Sequence, residues 1–137
     1  MSLIARPATL ENLEELIQFV TTHARSNDFG PKRITEIQLA VEEALVNIMN
    51  YAYPGQTGQV KMACTVKNKN RFVVEVTDHG IPFDILSFEK PDLTSELSRR
   101  QIGGLGVFFI RKLANEVQYR RIQDKNILTL SFNMDQA

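Results

Sequence analysis

The chain has a single cysteine, Cys64, and only two histidines, His23 and His79, among its 137 residues. One cysteine excludes an internal disulfide framework and suits a reducing compartment. So few thiol and imidazole groups leave little material for a zinc site. An excess of either charge is also missing: 16 Lys and Arg balance 16 Asp and Glu. Without such a field nothing holds a polyanion non-specifically, and no direct nucleic-acid partner is expected. No apolar run approaches the roughly 20 residues a membrane span requires, and no signal-peptide pattern opens the chain. At 43% hydrophobic and 23% charged, the composition is that of a soluble globular protein. The expectation is one cytoplasmic domain over residues 1–137, large enough to fold without a disulfide or metal staple.

Periodicity gives the order of elements. Leu3 to Ala5 reads as a short edge strand, and Thr9 as the N-cap of a helix with Leu13, Leu16, Ile17, Val20 and Ala24 on its apolar face. A second helix is expected from Pro31 to Tyr53, stopped by Pro54-Gly55. Its apolar arc holds Ile34, Ile37, Val41, Ala44, Leu45, Ile48, Met49 and Ala52, while Glu36, Glu43, Asn47 and Asn50 fall on the opposite side. Val60 to Val66 alternates, Asn68-Lys69-Asn70 suits a turn, and Arg71 to Thr77 is a second strand. Asp84 to Ile102 has no sustained period, and a connection this long is expected to be a lid, a binding loop or disordered. After Gly103-Gly104-Leu105-Gly106 comes a helical pattern, then a hairpin of Glu116–Ile122 and Ile127–Asn133 around a turn at Gln123-Asp124-Lys125-Asn126. Helices gathered against a mainly antiparallel sheet predict an α+β two-layer sandwich, with helices on one face and solvent on the other.

Three places could carry chemistry. Glu43 and Asn47 are four residues apart on a helix, so they share one patch. A carboxylate can accept a proton and an amide oxygen is a suitable hard ligand for Mg2+; the plainer alternative is a solvated helix face. Asp78 ends a strand, where its carboxylate can accept from an exocyclic amine, and Gly80 removes a side chain that would block a flat base; the plainer alternative is an ordinary turn. Gly103, Gly104 and Gly106 precede a helix, where free N–H groups attract anions; the alternative is a lid hinge. No Gly-Lys-Ser/Thr follows and no G-x-G-x-x-G spacing is present, so neither a Walker loop nor a dinucleotide fingerprint is expected. No Ser/His/Asp or Cys/His constellation supports hydrolase chemistry.

Taken in order, the three places resemble the Bergerat-type ATPase fold of gyrase, histidine kinases, mismatch-repair ATPases and heat-shock chaperones (the GHKL superfamily). Val41–Tyr53 looks like its N box, with Tyr51 where a histidine is frequent. Asp78-His-Gly-Ile-Pro-Phe-Asp84 looks like its first glycine box, in the Pro-Phe-Asp form of the small stand-alone anti-sigma-factor serine/threonine kinases. Gly103–Val117 looks like its second. The resemblance implies that Glu43 is the general base and Asn47 the Mg2+ ligand. It places Asp78 and Gly80 at the adenine, with Pro82 and Phe83 beside them, and Gly103, Gly104, Leu105, Gly106 and Val107 near the phosphates. Thr129 lacks the preceding glycine that marks the superfamily's late threonine, and Arg99 and Arg100, in the lid, stay unassigned. No phosphoacceptor-histidine helix precedes the fold, which favours a protein substrate in trans. The implied function is ATP-dependent phosphorylation of a STAS-type anti-anti-sigma protein, with sequestration of a sigma factor, in a bacterial partner-switching system. The alternative is a non-catalytic ATP-binding module that sequesters its partner. Relatives of this kind commonly form homodimers, although no feature of the sequence marks an interface.

Overall fold

A computed structural model of the chain describes residues 1–84, 86 and 106–134, of which 106–109 are described by their backbone alone. Most of the expected lid, including Arg99 and Arg100, and Gly103, Gly104 and Leu105 lie outside the described residues. The elements run β1 (Ser2–Pro7), a 3-10 turn (Leu10–Asn12), α1 (Leu13–Arg25), α2 (Pro31–Tyr51), β2 (Gln59–Lys67), β3 (Arg71–Asp78), α3 (Gly106–Leu113), β4 (Glu116–Ile122) and β5 (Lys125–Asn133). The five strands form one antiparallel sheet in the order β1-β2-β3-β5-β4.

One face of the sheet carries Val60, Met62 and Cys64 of β2, Phe72, Val74 and Val76 of β3, and Leu128, Leu130 and Phe132 of β5, all buried. They share a core with Leu16 and Val20 of α1, with Ile37, Val41, Leu45 and Ile48 of α2, and with Ile110 of α3. The architecture is thus the expected α+β sandwich. On the other face the alternation is incomplete: Val73, Thr77, Ile127 and Ser131 are also buried. They lie on the paired strands β3 and β5, where Val73 stands opposite Ser131 and Thr77 opposite Ile127. Among the described residues no helix is long and apolar enough to cross a membrane.

Several boundaries differ from expectation. β1 extends to Ser2–Pro7 because its backbone pairs with β2 from Cys64 to Gln59, and pairing rather than apolar content sets its length. Thr9 caps no helix with its side chain; it instead receives Asn12 Nδ2 at 3.1 Å, and regular α-helix starts at Leu13. α2 stops at Tyr51, not Tyr53, because Pro54 cannot continue a helix. The Tyr53 side chain turns aside: its hydroxyl donates to Gln59 O at 2.5 Å and accepts from His79 N at 2.8 Å. The β2–β3 connection is the expected turn: Asn68, Lys69 and Asn70 lie between the paired Lys67 and Arg71, Asn68 and Lys69 are both left-handed (φ 55° and 62°), and Asn70 N donates to Lys67 O at 3.2 Å. The β4–β5 turn is tighter than expected, since Ile122 pairs with Lys125 and only Gln123 and Asp124 lie between. Lys125 and Asn126 therefore belong to β5.

Arg33 staples the helical layer together. Its Nη1 donates to Leu113 O at 2.7 Å, at the C-terminus of α3, and to Glu36 Oε1 at 3.1 Å. Its Nη2 donates to Asn115 Oδ1, and the guanidinium lies 5.3 Å from the centre of the Phe132 ring. A cation at a helix C-terminus meets unpaired carbonyls and the negative end of the dipole. Arg33→Ala should lower the unfolding free energy by about 2 kcal/mol, since hydrogen bonds to charged groups contribute about 1.5–3 kcal/mol. Arg33→Lys should recover less than half of that, because one ammonium cannot reproduce the planar fork. Urea unfolding of the two variants beside the parent measures both.

Candidate active site

α2 supplies the first wall of the site. Ala40 and Ala44 are fully buried, and α3 packs along α2. In the folded chain Glu36 and Glu43 are half-buried and Asn47 falls to 2% exposure, while Asn50 stays in solvent. Glu43 and Asn47 therefore do not occupy an ordinary wetted helix face. Burial, and to a smaller extent the adjacent Glu42 carboxylate, raises the Glu43 carboxyl above its ordinary value.

Asn47 is held by a bond from Nδ2 to the Glu43 carbonyl one turn earlier, at 2.7 Å. This fixes the amide plane and leaves Oδ1 buried with no partner; among the described residues no other buried side-chain polar atom is left this way. Such an unsatisfied acceptor costs about 1–3 kcal/mol. Mg2+ demands oxygen ligands and is commonly held through one or two protein oxygens together with substrate phosphates. An orphaned amide oxygen fits that demand. No group of three or more His, Cys, Asp or Glu among the described residues forms an alternative metal cage.

β3 and β5 supply the second wall. Asp78, 4% exposed, ends β3 and stands opposite Asn126 in the register. Asp78 Oδ1 accepts from Gly80 N at 2.8 Å and from Asn126 Nδ2 at 2.9 Å. Together with Ala44, Asn47 and Ile48 of α2, and with Phe83, Tyr119 and Leu128, Asp78 and Asn126 line a narrow cleft of about 20 Å³. That is room for about one water molecule and far below the roughly 300–1,000 Å³ of small-molecule sites, so a planar heterocycle enters only if the walls part. A much larger open groove of about 610 Å³ runs between α1 and α2, past Glu14, Gln18, Arg25 and Glu42, and contains none of the expected site residues.

Asn47, Asp78 and Phe83 are thus brought to one cleft, and Glu43 sits one helical turn from it. Pro82 is exposed and outside the lining, and His79 points outward to Asp124 at 3.5 Å. Phe83 stacks on Tyr51 with ring centres 5.8 Å apart and planes 12° apart. Gly106 and Val107 open α3. Gly80 has a structural reason to be glycine: a Cβ there would lie 2.2 Å from Ala52 O. The Ile81 N–H donates to that same carbonyl at 2.9 Å, so the end of α2 and the loop after β3 touch backbone to backbone. Thr129 faces away from the cleft, paired with Glu75 and Gln118 on the open side of the sheet.

Sequence reasoning missed Asn126 and Tyr119. Asn126 had been assigned to a turn, yet it shares the two-residue phase of Leu128, Leu130 and Phe132, which places it on the core face. A tighter turn was the signal that would have found it.

The histidine kinase-like ATPase domain family matches residues 6–132, and the chain belongs to that family. It is similar to the serine-protein kinase RsbW of Bacillus thuringiensis (strain Al Hakam), 23% identical over 108 residues that span 76% of this chain and 67% of the relative. The same-named protein of Listeria monocytogenes serovar 1/2a is 27% identical over 95 residues, 66% of this chain and 60% of the relative.

Gly80→Ala should cost about 1–3 kcal/mol of stability, the usual range for forcing an atom into a filled space. Thermal melting read by circular dichroism checks it; a melt equal to the parent's would mean that Ala52 retreats freely.

Proposed function

We propose that the chain is an ATP-dependent serine/threonine protein kinase that uses Glu43 as its base, Asn47 as its Mg2+ ligand and Asp78 as its adenine acceptor. The observation that carries this reading is the facing of the orphaned Asn47 Oδ1 and the buried Asp78 carboxylate across one cleft. The family membership and the similarity to proteins named serine-protein kinases support it.

In this reading the cleft widens to admit the base, Asp78 accepts from its exocyclic amine, and Phe83 and Leu128 cover apolar surface. The ribose and phosphates would extend beyond it toward the start of α3 at Gly106 and Val107, and the resemblance implies that Gly103, Gly104 and Leu105 also serve the phosphates. Mg2+ at Asn47 supplies charge neutralisation on the phosphates. A partner's serine or threonine hydroxyl oxygen forms the new bond to the γ-phosphorus as the bond to the β,γ-bridging oxygen breaks and ADP leaves. Glu43 takes the hydroxyl proton. Its raised affinity for a proton suits this task better than that of a free carboxylate, which is a weaker base. Most of the rate enhancement in such transfer comes from positioning and electrostatics. By the resemblance noted above, the acceptor is a STAS-type anti-anti-sigma protein and the sequestered partner a sigma factor, both in the cytoplasm.

With labelled ATP and the acceptor, Glu43→Gln should reduce transfer by about 10²–10⁴-fold and leave nucleotide affinity within a few fold. The acid limb of the pH–rate profile should lie above the ordinary carboxylate value, because the base loses activity as it protonates, and it should vanish in Glu43→Gln. Binding of ATP and a sigma factor with no transfer by the parent chain would favour the sequestering module instead. Absence of any melting shift with millimolar Mg2+·ATP would end both readings, since a ligand well above its Kd must stabilise the folded chain.

Asn47→Leu should leave the melting temperature equal or higher, because it removes a buried unpaired acceptor at similar volume. The same variant should lose the Mg2+ dependence of nucleotide binding, measured by titration with and without the metal.

A further inference from the structure

The side chain of Asn126 has all four of its hydrogen-bonding positions filled. Nδ2 donates to Asp78 Oδ1 at 2.9 Å and to Ile81 O at 2.8 Å. Oδ1 accepts from Tyr119 Oη at 2.5 Å and from Phe83 N at 3.3 Å. A carboxamide has two donor hydrogens and two acceptor lone pairs, so none remains for a ligand. The partners also fix which way the amide points: rotated by half a turn, its oxygen would face a carboxylate and a carbonyl, and its nitrogen the Phe83 N–H.

These four bonds join four separate pieces of chain. Asp78 ends β3, Ile81 and Phe83 belong to the loop beyond it, Tyr119 stands on β4, and Asn126 is on β5. Arg121 adds a fifth tie, donating to Gly80 O at 2.9 Å. Both hydrogen bonds to Asp78 fall on Oδ1; among the described residues Oδ2 receives none. The carboxylate therefore cannot rotate without breaking two bonds, and it presents a single fixed acceptor to the cleft.

Resting on the nucleotide reading above, we propose that Asn126, braced by Tyr119, is a positioning residue that sets purine selectivity by locking Asp78 with one oxygen toward the 6-position of the base. A 6-aminopurine donates to that oxygen. A 6-oxopurine places an acceptor against it and is rejected, and no donor of Asn126 is free to compensate. The ligand is touched by Asp78; Asn126 acts only through it.

The Kd values of Mg2+·ATP and Mg2+·ITP, which differ at the 6-position, test this in the full chain, the Asn126→Leu variant and the Tyr119→Phe variant. The parent should favour ATP by at least about tenfold, the effect of one hydrogen bond to a charged group. Asn126→Leu should reduce the preference to below about threefold, chiefly by weakening ATP. Tyr119→Phe removes one of the two bonds that hold the Asn126 oxygen and should produce a partial loss, about two- to threefold in the ratio. A merely structural role would weaken both nucleotides alike and leave their ratio unchanged, and that result would overturn the inference. If Asn126→Leu fails to fold, an unchanged ratio in Tyr119→Phe overturns it alone. A parent chain that binds neither nucleotide would instead bring down the nucleotide reading itself, and this inference with it.

Discussion

Antiparallel pairing of β3 with β5 sets Asp78 directly opposite Asn126, and the site is built outward from that pair. Side chains alternate along a strand with period two, so a slip of one residue would send every inward group to the other face. The register is secured by what lies farther along the same strands, where Val76, Val74 and Phe72 meet Leu128, Leu130 and Phe132 in the core. Apolar burial thus holds two polar side chains in contact at the end of the sheet, where neither would be stable as an isolated buried group. The loop after β3 then closes over them through Gly80, Ile81 and Phe83.

α2 has a double task in the same arrangement. Its apolar arc anchors it to the sheet, while Glu43 on the neighbouring stripe is half-buried and Asn47 is buried. Covering a carboxylate and an amide in this way is unfavourable for folding alone: one proton affinity is shifted and one oxygen is left without a partner. Arg33 offsets part of that tension at the other end of the helix pair, where its bonds to Leu113, Asn115 and Glu36 fix α3 against α2. Stability is concentrated at the closed end of the layer and unsatisfied chemistry at the cleft, the division expected when a site departs from the rules that the rest of the fold obeys.

Much of this was legible in the chain. The apolar arc of α2 from Ile34 to Ala52, the hairpin around Asn68-Lys69 and the exit of β3 at Asp78 all follow from local periodicity and turn chemistry. Glu43 and Asn47 were legible as a pair on one patch, because helical geometry alone puts them there. What the pattern could not give was their burial, since Asn47 lies beside residues far along the chain, Asp78, Tyr119 and Asn126. At Gly80 the sequence suggests room for a flat base, whereas the atom that forbids a side chain in the fold is the Ala52 carbonyl oxygen. Thr129, which lacks the glycine that marks the superfamily's late threonine, is turned by its phase to the open face, and Asn126 occupies an inward position.

The sequence by itself determined the elements, the two-layer class and the identity of the groups at three points along the chain, because each depends on neighbours within one or two turns. The tertiary structure alone decided which of those groups face a common cleft, which oxygen of Asp78 is already engaged, and that Asn126 is a strand residue locked to it. Those outcomes depend on strand register and helix docking between residues as far apart as 48 positions, as in the Asp78–Asn126 bond. Local pattern carries no record of such distances; the packing of the whole core sets them.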